Sequence, residues 1–216
     1  MHIPDFMMPL WQGALYWVIA LVFVALAIRW AKNEMTEEKV PLIAVLAAGI
    51  FALQSFNLPV SMGTSGHLVG GALAAIVLGS PFAAVFILTL VLIVQGVLFG
   101  DGGLTTMGAN ILNMGVIGGF IGFYGFKGLM FSTRNVSVSA FVAAWLACIV
   151  PALAAGVELY FAGTLPLELG LLTIGIYHTV IGIVEGLVTV VAINLILHVR
   201  PDVIDSIKPA PGKAGA

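Results

Sequence analysis

The chain has 216 residues, of which 61% are hydrophobic and only 8% are charged. A typical soluble domain carries about 25% charged residues, so this composition excludes a water-soluble fold. The single cysteine excludes a disulfide-based scaffold, and the net charge of −2 excludes a basic surface for nucleic acid. The composition therefore predicts an all-α polytopic protein whose partner is the lipid bilayer.

Seven segments approach the length of about 20 apolar residues that a helix needs to cross a bilayer. In chain order, we expect them at residues 10–30, 41–56, 67–79, 82–99, 104–130, 139–161 and 171–198. The third is short, and only Ser80-Pro81 separates it from the fourth, where the proline ends a helix and allows a tight turn. The first lacks the basic residues that begin a signal peptide, so we interpret it as a retained helix.

The basic residues all fall on one side of this seven-helix arrangement. The first, third and fifth connections lie on the same side as the C-terminal tail, and all eight basic residues lie on that side: Arg29, Lys32, Lys39, Lys127, Arg134, Arg200, Lys208 and Lys213. The opposite side has no lysine or arginine, and its charged residues are all acidic: Asp5, Asp101, Glu158 and Glu168. The positive-inside rule then predicts an external N-terminus and a cytoplasmic C-terminus, in a plasma or inner membrane.

Polar side chains collect near the external ends of the predicted helices. Because polar groups are costly inside a membrane, a cluster of polar side chains at one depth indicates a functional site. The cluster includes His67, and we expect six further residues to support the site without binding the ligand directly: Gln54, Asn57, Ser65, Gln95, Asn110 and Asn113. The alternative for the amides is that they only form hydrogen bonds between helices.

Two further polar residues, His178 and Glu185, lie two turns apart on one face of the last predicted helix. Glu185 is ionisable near mid-membrane and has no lysine or arginine at its depth. We expect it to be protonated or to pair with His178, about 10 Å away along the helix axis. His178 is either a packing residue or a ligand, so both residues are candidate functional groups.

Glycines recur at short, regular intervals in the fifth predicted helix. Gly115, Gly118, Gly119 and Gly122 form overlapping G-x-x-x-G spacings, which allow helices to approach closely. We expect this face to pack within the chain.

The first two residues carry the most specific chemical signal. A large side chain at His2 disfavours removal of Met1, so the chain offers the Met1 amine, the His2 main-chain nitrogen and His2 Nδ1 in fixed order. Bound together, these atoms close two chelate rings and favour a square-planar ion such as Ni²⁺, Cu²⁺ or Co²⁺. A further imidazole completes four nitrogens, and His67 is the candidate because it lies on the same predicted side.

Several motifs, in a fixed order, resemble a known family. They are Met1-His2-Ile3-Pro4-Asp5, Gly63-Thr64-Ser65-Gly66-His67-Leu68, Gly70-Gly71-Ala72-Leu73, Leu98-Phe99-Gly100-Asp101-Gly102-Gly103-Leu104-Thr105 and Gly108-Ala109-Asn110-Ile111-Leu112-Asn113-Met114, with a looser match over residues 182–186. This set is similar to the substrate-binding M subunits, CbiM and NikM, of energy-coupling-factor (ECF) cobalt and nickel transporters. One departure is Phe6-Met7-Met8, where the family usually has a Gly-Phe-Leu-like run.

The resemblance implies a transport subunit and not an enzyme. It implies a seven-helix domain over residues 1–200, with a metal-binding N-terminal plug at 1–9 and a short cytoplasmic tail at 201–216. The bound substrate would be Co²⁺ or Ni²⁺, held by nitrogens of Met1, His2 and His67, with no organic cofactor. The implied partners are a transmembrane T subunit, ATPase subunits and a small N-type membrane subunit. The short tail has no fused N-type extension, which favours cobalt.

Two alternatives remain open at this point: a nickel uptake subunit, and an uptake subunit of the same architecture for another small ligand, with a structural N-terminus. Other seven-helix classes fit poorly. A retinal-binding receptor needs a lysine that the last two predicted helices lack, and we find no charge rings of a channel. Ser65-Gly66-His67 lacks the context of a hydrolase nucleophile.

Overall fold

The computed structural model describes residues 2–60 and 65–207, so the sequence predictions at Met1, Gly63, Thr64, Lys208 and Lys213 lie outside the described residues. The helices within these ranges are α1 (Leu10–Glu34), α2 (Lys39–Gln54), α3 (Gly71–Val77), α4 (Pro81–Phe99), α5 (Met107–Thr133), α6 (Val136–Phe161) and α7 (Leu167–Val199). Strands β1 (Leu58–Pro59) and β2 (Ser65–Gly66) form an antiparallel pair between α2 and α3, with Leu58 opposite Gly66. A 3₁₀ turn (Pro201–Val203) follows α7.

The all-α membrane fold predicted from composition is confirmed. Five helices within the described ranges are long and apolar enough to cross a bilayer, namely α1, α4, α5, α6 and α7. Helix α2 is apolar but has only 16 residues.

The third predicted helix differs most from expectation. Residues 67–70 are not helical, and α3 begins only after Gly70, which has a left-handed φ of +77°. The remaining seven residues span about 10 Å, which is too short to cross the hydrocarbon region. All seven are buried, so α3 is a core helix enclosed by its neighbours.

The predicted turn between α3 and α4 is confirmed. Pro81 is the first residue of α4, and Ser80 Oγ accepts a hydrogen bond of 3.2 Å from the Phe82 N–H. The segment after α7 returns to this turn. The Asp205 N–H donates to the Val77 carbonyl at 2.9 Å, and Asp205 Oδ2 lies 2.9 Å from Lys39 Nζ.

The glycine face of α5 packs within the chain, as its spacing predicts. A Cβ atom at Gly122 would lie 2.5 Å from Ala72 Cα of α3, and one at Gly119 would lie 2.6 Å from Ala84 Cβ of α4. Helices α6 and α7 form the most extensive helix pair, while α1 is largely exposed and packs on α4 and α5.

Two helices contain π-helical turns near the candidate site. The last turn of α4 (Gln95–Phe99) and the second turn of α5 (Ile111–Ile117) have this wider form. Such turns occur frequently at functional sites because they change the direction of the side chains around them. Gln95 begins the first of these turns, and Asn110 immediately precedes the second.

Candidate metal-binding site

The N-terminal segment, residues 2–9, folds back against the start of α5 through the main chain of Ile3. The Ile3 N–H donates to Asn110 Oδ1 at 2.8 Å, and the Ile3 carbonyl accepts from Asn110 Nδ2 at 3.1 Å. The same carbonyl accepts from Thr106 Oγ1 at 2.5 Å and from the Gly103 N–H at 3.2 Å. One amide side chain therefore holds both polar groups of residue 3, which fixes its neighbour His2.

Asp5 provides a second attachment for the N-terminal segment. Its carboxylate accepts hydrogen bonds from the Thr105 N–H at 2.8 Å, Thr105 Oγ1 at 2.5 Å and the Leu104 N–H at 3.1 Å. Burial acts to raise the pKa of Asp5, but these hydrogen bonds outweigh it and hold that pKa below its usual value. The carboxylate is thus ionised at neutral pH and fastens the segment to the α4–α5 loop.

The structure brings His2 and His67 together. Their ring centroids are 4.4 Å apart with an interplanar angle of 32°, and the side chains are only 2% and 1% exposed. The two residues are 65 positions apart in the chain. Folding of the N-terminal segment therefore creates a buried pair of imidazoles, which is a suitable arrangement for a transition-metal ion.

The hydrogen bond of His67 identifies the ring nitrogen that can bind an ion. His67 Nδ1 lies 2.7 Å from the Leu68 carbonyl, which can only accept, so Nδ1 carries the proton. The other nitrogen, Nε2, is buried and has no hydrogen-bond partner in the parts of the chain that the structure describes. Nε2 therefore presents an unused lone pair.

The His2 ring is held next to a carboxylate. His2 Nδ1 lies 3.2 Å from Asp101 Oδ1, and the side chain of Gln95 lies beside the same ring. Burial lowers the pKa of His2, while Asp101 acts in the opposite direction; the net result is a lowered pKa. In turn, the His2 ring holds the pKa of Asp101 below its usual value. His2 is therefore neutral at pH 7 and available as a ligand.

Two glycines allow the N-terminal segment to approach this closely. Gly102 has a left-handed φ of +86°, and a Cβ atom there would lie 3.1 Å from the His2 ring. A Cβ atom at Gly103 would overlap the main-chain nitrogen of Asp5. The Gly-Asp-Gly-Gly loop is thus a surface against which the main chain of residues 2–5 fits.

Side chains alone do not complete a conventional metal site. Within residues 2–60 and 65–207, no group of three histidine, cysteine, aspartate or glutamate side chains could hold a metal ion. An ion at the His2–His67 pair would need donors that are not side chains, which is what the predicted chelate of the Met1 amine and the His2 main-chain nitrogen provides.

Among the predicted supporting residues, Gln54, Gln95 and Asn110 lie around the histidine pair. Gln54 Nε2 donates to the Val69 carbonyl at 2.7 Å, two residues after His67. Gln95 and Asn110 contact the N-terminal segment as described above. These three amides thus contact the chain segments on both sides of the histidine pair.

The other three predicted supporting residues lie farther away. Asn113 Nδ2 donates to Glu158 Oε2 at 2.7 Å, so this amide connects α5 to α6. Asn57 is exposed beside a cavity of about 560 Å³ that His67 also lines. Ser65 is half-buried and pairs with Pro59 between the strands.

His178 and Glu185 are both buried, and of the two alternatives for Glu185, protonation or pairing with His178, the structure does not contain the pairing. His178 Nδ1 lies 2.8 Å from the Ile174 carbonyl. The Glu185 carboxylate accepts hydrogen bonds from the main-chain N–H groups of Val69 and Gly70 at 2.8 and 2.9 Å. The reason is geometric: the segment after His67 crosses α7 at the depth of Glu185 and offers two donors.

Sequence reasoning missed Asp5 and Thr106 as residues that hold the N-terminal segment. Their partners lie about 100 residues away, and no local pattern indicates such pairings. The available signal was the presence of Asp5 within a motif of otherwise apolar residues after His2. It also missed Glu158, whose main-chain carbonyl accepts from Gln12 Nε2 of α1 at 2.9 Å.

Comparison with known proteins finds several similar metal-transport proteins. Residues 2–203 match the family model described as "Cobalt uptake substrate-specific transmembrane region". A Haloquadratum walsbyi protein whose name refers to metal transport is 40% identical, over 94% of this chain and 93% of that protein. An Archaeoglobus fulgidus protein whose name refers to a fused nickel transport protein, NikMN, is 36% identical, over 99% of this chain and 70% of that protein.

A cobalt transport protein, CbiM, of Geobacter sulfurreducens is 34% identical, over 94% of this chain and 61% of that protein. Among solved structures, a crystal structure described as a truncated transition metal transporter superposes with a TM-score of 0.87. It is 30% identical and covers 92% of this chain and 99% of that chain.

Proposed function

Because the chain belongs to the CbiM family of cobalt-uptake substrate-specific transmembrane regions, we propose that it is the substrate-binding component of an ECF transporter. It binds a divalent transition-metal ion from outside and imports it, with cobalt preferred to nickel. The names of the relatives, which refer to cobalt, nickel and metal transport, support this assignment. In this proposal the chain is not an enzyme, and partner subunits hydrolyse ATP.

The proposed ligands are the Met1 amine, the His2 main-chain nitrogen, His2 Nδ1 and His67 Nε2. The observation that carries this proposal is the buried contact between the His2 and His67 rings, 4.4 Å apart, with His67 Nε2 lacking a partner among the described residues. Four nitrogens in a plane suit Ni²⁺ and low-spin Co²⁺. Mg²⁺ and Ca²⁺ prefer oxygen ligands and would be rejected.

On binding, His2 Nδ1 exchanges its contact with Asp101 for the ion, and the nearby carboxylate balances part of the added charge. The Gln54, Gln95 and Asn110 side chains orient the ligand-bearing segments, and Asn57, Ser65 and Asn113 support them from farther away. Release into the cytoplasm requires the N-terminal plug, residues 1–9, to leave the loop that holds it. ATP-driven partner subunits supply the energy for that movement.

The proposed assembly contains this chain, a transmembrane T subunit, ATPase subunits and a small N-type subunit in the plasma or inner membrane. Residues 1–200 form its membrane domain, with the N-terminus outside, and residues 201–216 form the cytoplasmic tail. The one-sided distribution of lysine and arginine supports this orientation.

The decisive experiment changes the chelate without removing a side chain. Inserting leucine and proline between Met1 and His2 keeps Met1, because leucine is large, and separates its amine from the His2 amide by a residue without an N–H. We therefore expect the purified variant to lose Co²⁺ and Ni²⁺ binding, and we expect His67→Ala to bind both ions more weakly. His198→Ala is the matched control, because this exposed histidine lies at the other end of the bundle. Unchanged binding by the insertion variant would mean that the N-terminal chelate is not the site.

Two alternatives are distinguished by the identity of the retained ion. The parent chain is incubated with equal concentrations of Co²⁺, Ni²⁺, Cu²⁺ and Mg²⁺, and the bound ion is identified by mass spectrometry. Because nitrogen sites in general bind Ni²⁺ more tightly than Co²⁺, retention of Co²⁺ over Ni²⁺ would favour cobalt uptake, whereas retention of Ni²⁺ with complete rejection of Co²⁺ would favour a nickel uptake subunit. Retention of none of the four would favour another small ligand and a structural N-terminus.

A further inference from the structure

Glu185 is a fully buried carboxylate whose two oxygens both bind the main chain of another part of the molecule. Oε2 accepts the Val69 N–H at 2.8 Å and Oε1 accepts the Gly70 N–H at 2.9 Å, across more than 110 residues of sequence. Helix α7 therefore holds the segment between His67 and α3, residues 67–70, which we call the His67 segment.

The His67 segment is held from its other side by α2. Gln54 Nε2 donates to the Val69 carbonyl at 2.7 Å, so both polar main-chain groups of Val69 are bound by side chains from different helices. Val69 and Gln54 are both fully buried. The main chain at Val69 cannot shift without breaking at least one of these bonds.

A buried glutamate is an energetically costly way to hold the main chain if its hydrogen bonds serve only to begin α3. A nearby serine or aspartate commonly caps a helix start, yet the residue preceding α3 is Gly70, which forms no side-chain cap. The chain instead places an ionisable side chain inside the membrane domain, where such groups are rare and expensive. The bonds fix a point only two residues from His67, whose ring lies against His2.

We propose that Glu185 is a positioning residue for metal binding, which holds the His67 segment so that His67 Nε2 stays within reach of the N-terminal donors. This inference rests on the proposed function, since it assigns Glu185 a role in the same site. Because Glu185 belongs to α7, a displacement of α7 relative to α2 would move His67 away from the N-terminal segment.

The test compares two isosteric changes of buried carboxylates. In Glu185→Gln, the amide group faces one of the two N–H donors, so one hydrogen bond is lost. Glu158→Gln is the matched control, because Glu158 is also buried and accepts a hydrogen bond from Asn113 on α5, which the glutamine Oε1 can still accept. Within residues 2–60 and 65–207, the Glu158 side chain is not hydrogen-bonded to the His67 segment. Purified full-length variants are titrated with Ni²⁺, and the absorption spectrum of the bound ion is recorded.

We expect Glu185→Gln to weaken Ni²⁺ binding about 10–100-fold. The spectrum of its residual complex should shift towards that of His67→Ala, because the fourth nitrogen is lost. Glu158→Gln should retain both the affinity and the spectrum of the parent. Gln54→Leu, which removes the contact on the opposite side of Val69, should weaken binding in the same direction, which keeps the proposal testable if Glu185→Gln does not fold.

A second measurement does not depend on metal. In the metal-free protein, hydrogen exchange of the peptide containing Val69 and Gly70 should be faster in Glu185→Gln than in the parent or in Glu158→Gln. Faster exchange together with parent-like Ni²⁺ affinity and spectrum would overturn the positioning role. An equal loss of affinity in Glu158→Gln would also overturn it, because the effect would then be general destabilisation.

Failure of this inference and failure of the proposed function are distinguishable. If the parent chain itself binds neither Ni²⁺ nor Co²⁺, the proposed function is wrong, and the positioning role falls with it. If the parent binds metal and Glu185→Gln binds it equally well, only the role of Glu185 is wrong.

Discussion

Phe6 adopts a left-handed main-chain conformation, with φ of +73°, although its side chain is 98% exposed. A residue with a Cβ atom pays roughly 1–2 kcal/mol for this conformation, and the exposed ring makes no compensating contact. The unusual residue is thus tolerated because the contacts of Ile3 and Asp5 on either side of Pro4 hold the segment in place.

We expect Phe6→Gly to favour the docked N-terminal segment, since glycine adopts a positive φ without strain. A gain of about 1 kcal/mol corresponds to roughly fivefold tighter metal binding, measured by titration calorimetry. Phe6→Ala is the control, because it removes the ring but keeps the Cβ atom. If both variants bind metal more tightly by the same factor, loss of the ring and not relief of strain is responsible.

The pH dependence of metal binding discriminates between the proposed donors. The Met1 amine and the His2 main-chain amide both carry a proton at pH 7, and each must lose it to bind the ion. Affinity should therefore fall roughly 100-fold from pH 7 to pH 6, a factor of ten for each displaced proton. His2 adds little in this range, because burial lowers its pKa and the ring is already neutral.

The slope of metal affinity against pH is measured by competition with a chelator whose own affinity is known at each pH. A change of less than tenfold per pH unit would indicate that the histidine rings alone bind the ion. His67→Ala should retain the slope of the parent at reduced affinity, because the amine and amide are unchanged in that variant.

At the scale of single residues, the sequence predicts which groups can bind a metal better than it predicts which residues contact each other. The donor set of Met1, His2 and His67 could be proposed because the spacing of amine, amide and imidazole is fixed by covalent structure. The pairing of Asn110 with Ile3, and of Asp5 with Thr105, could not, because it depends on how a loop 100 residues away is folded. Glu185 could be identified as unusual, but its partners could not be named.

Among the helices, α5 depends on the absence of side chains at its contact with α3. A Cβ atom at Gly122 would lie 2.5 Å from Ala72 Cα, whereas one at Gly128 of the same helix would meet nothing within 4 Å. We expect Gly122→Ala to destabilise the protein by about 1–3 kcal/mol, because backbone must move to admit the methyl group. Metal affinity should fall with it, since α3 continues directly from the His67 segment.

Gly128→Ala is the matched control and should stabilise the protein by roughly 0.5–1 kcal/mol, because alanine is the better helix former. Thermal unfolding of both variants in detergent measures the difference. Equal unfolding temperatures would contradict close packing of α3 against α5.

Apolar length predicted most helices within a few residues, because a bilayer-crossing helix must be long and continuous. It was inadequate for α3, where the short apolar run at 67–79 begins with an irregular segment held by Gln54 and Glu185. The π-helical turns at Gln95 and after Asn110 were also not predictable, since they follow from packing and not from local composition.

For the molecule as a whole, the distribution of basic residues predicts which end faces the cytoplasm. We expect a membrane-impermeant maleimide to label Glu168→Cys in intact cells and Gly212→Cys only after permeabilisation. The native Cys148 is buried and should give no background. Labelling of Gly212→Cys from outside would contradict the orientation, and the metal site would then face the cytoplasm.

The contacts of Ile3 and Asp5 resemble those between a receptor and a bound peptide, since main-chain and carboxylate groups of residues 3–5 are recognised by the loop at 103–106 and by Asn110. The covalent link to α1 then acts as a tether that supplies a high effective concentration, in the millimolar range for short flexible links. A chain lacking residues 1–9 should therefore recover Ni²⁺ binding when a synthetic peptide of residues 1–9 is added at millimolar concentration. The same peptide with His2→Ala should not restore it, and failure of both would mean that the tether orients the segment as well as concentrating it.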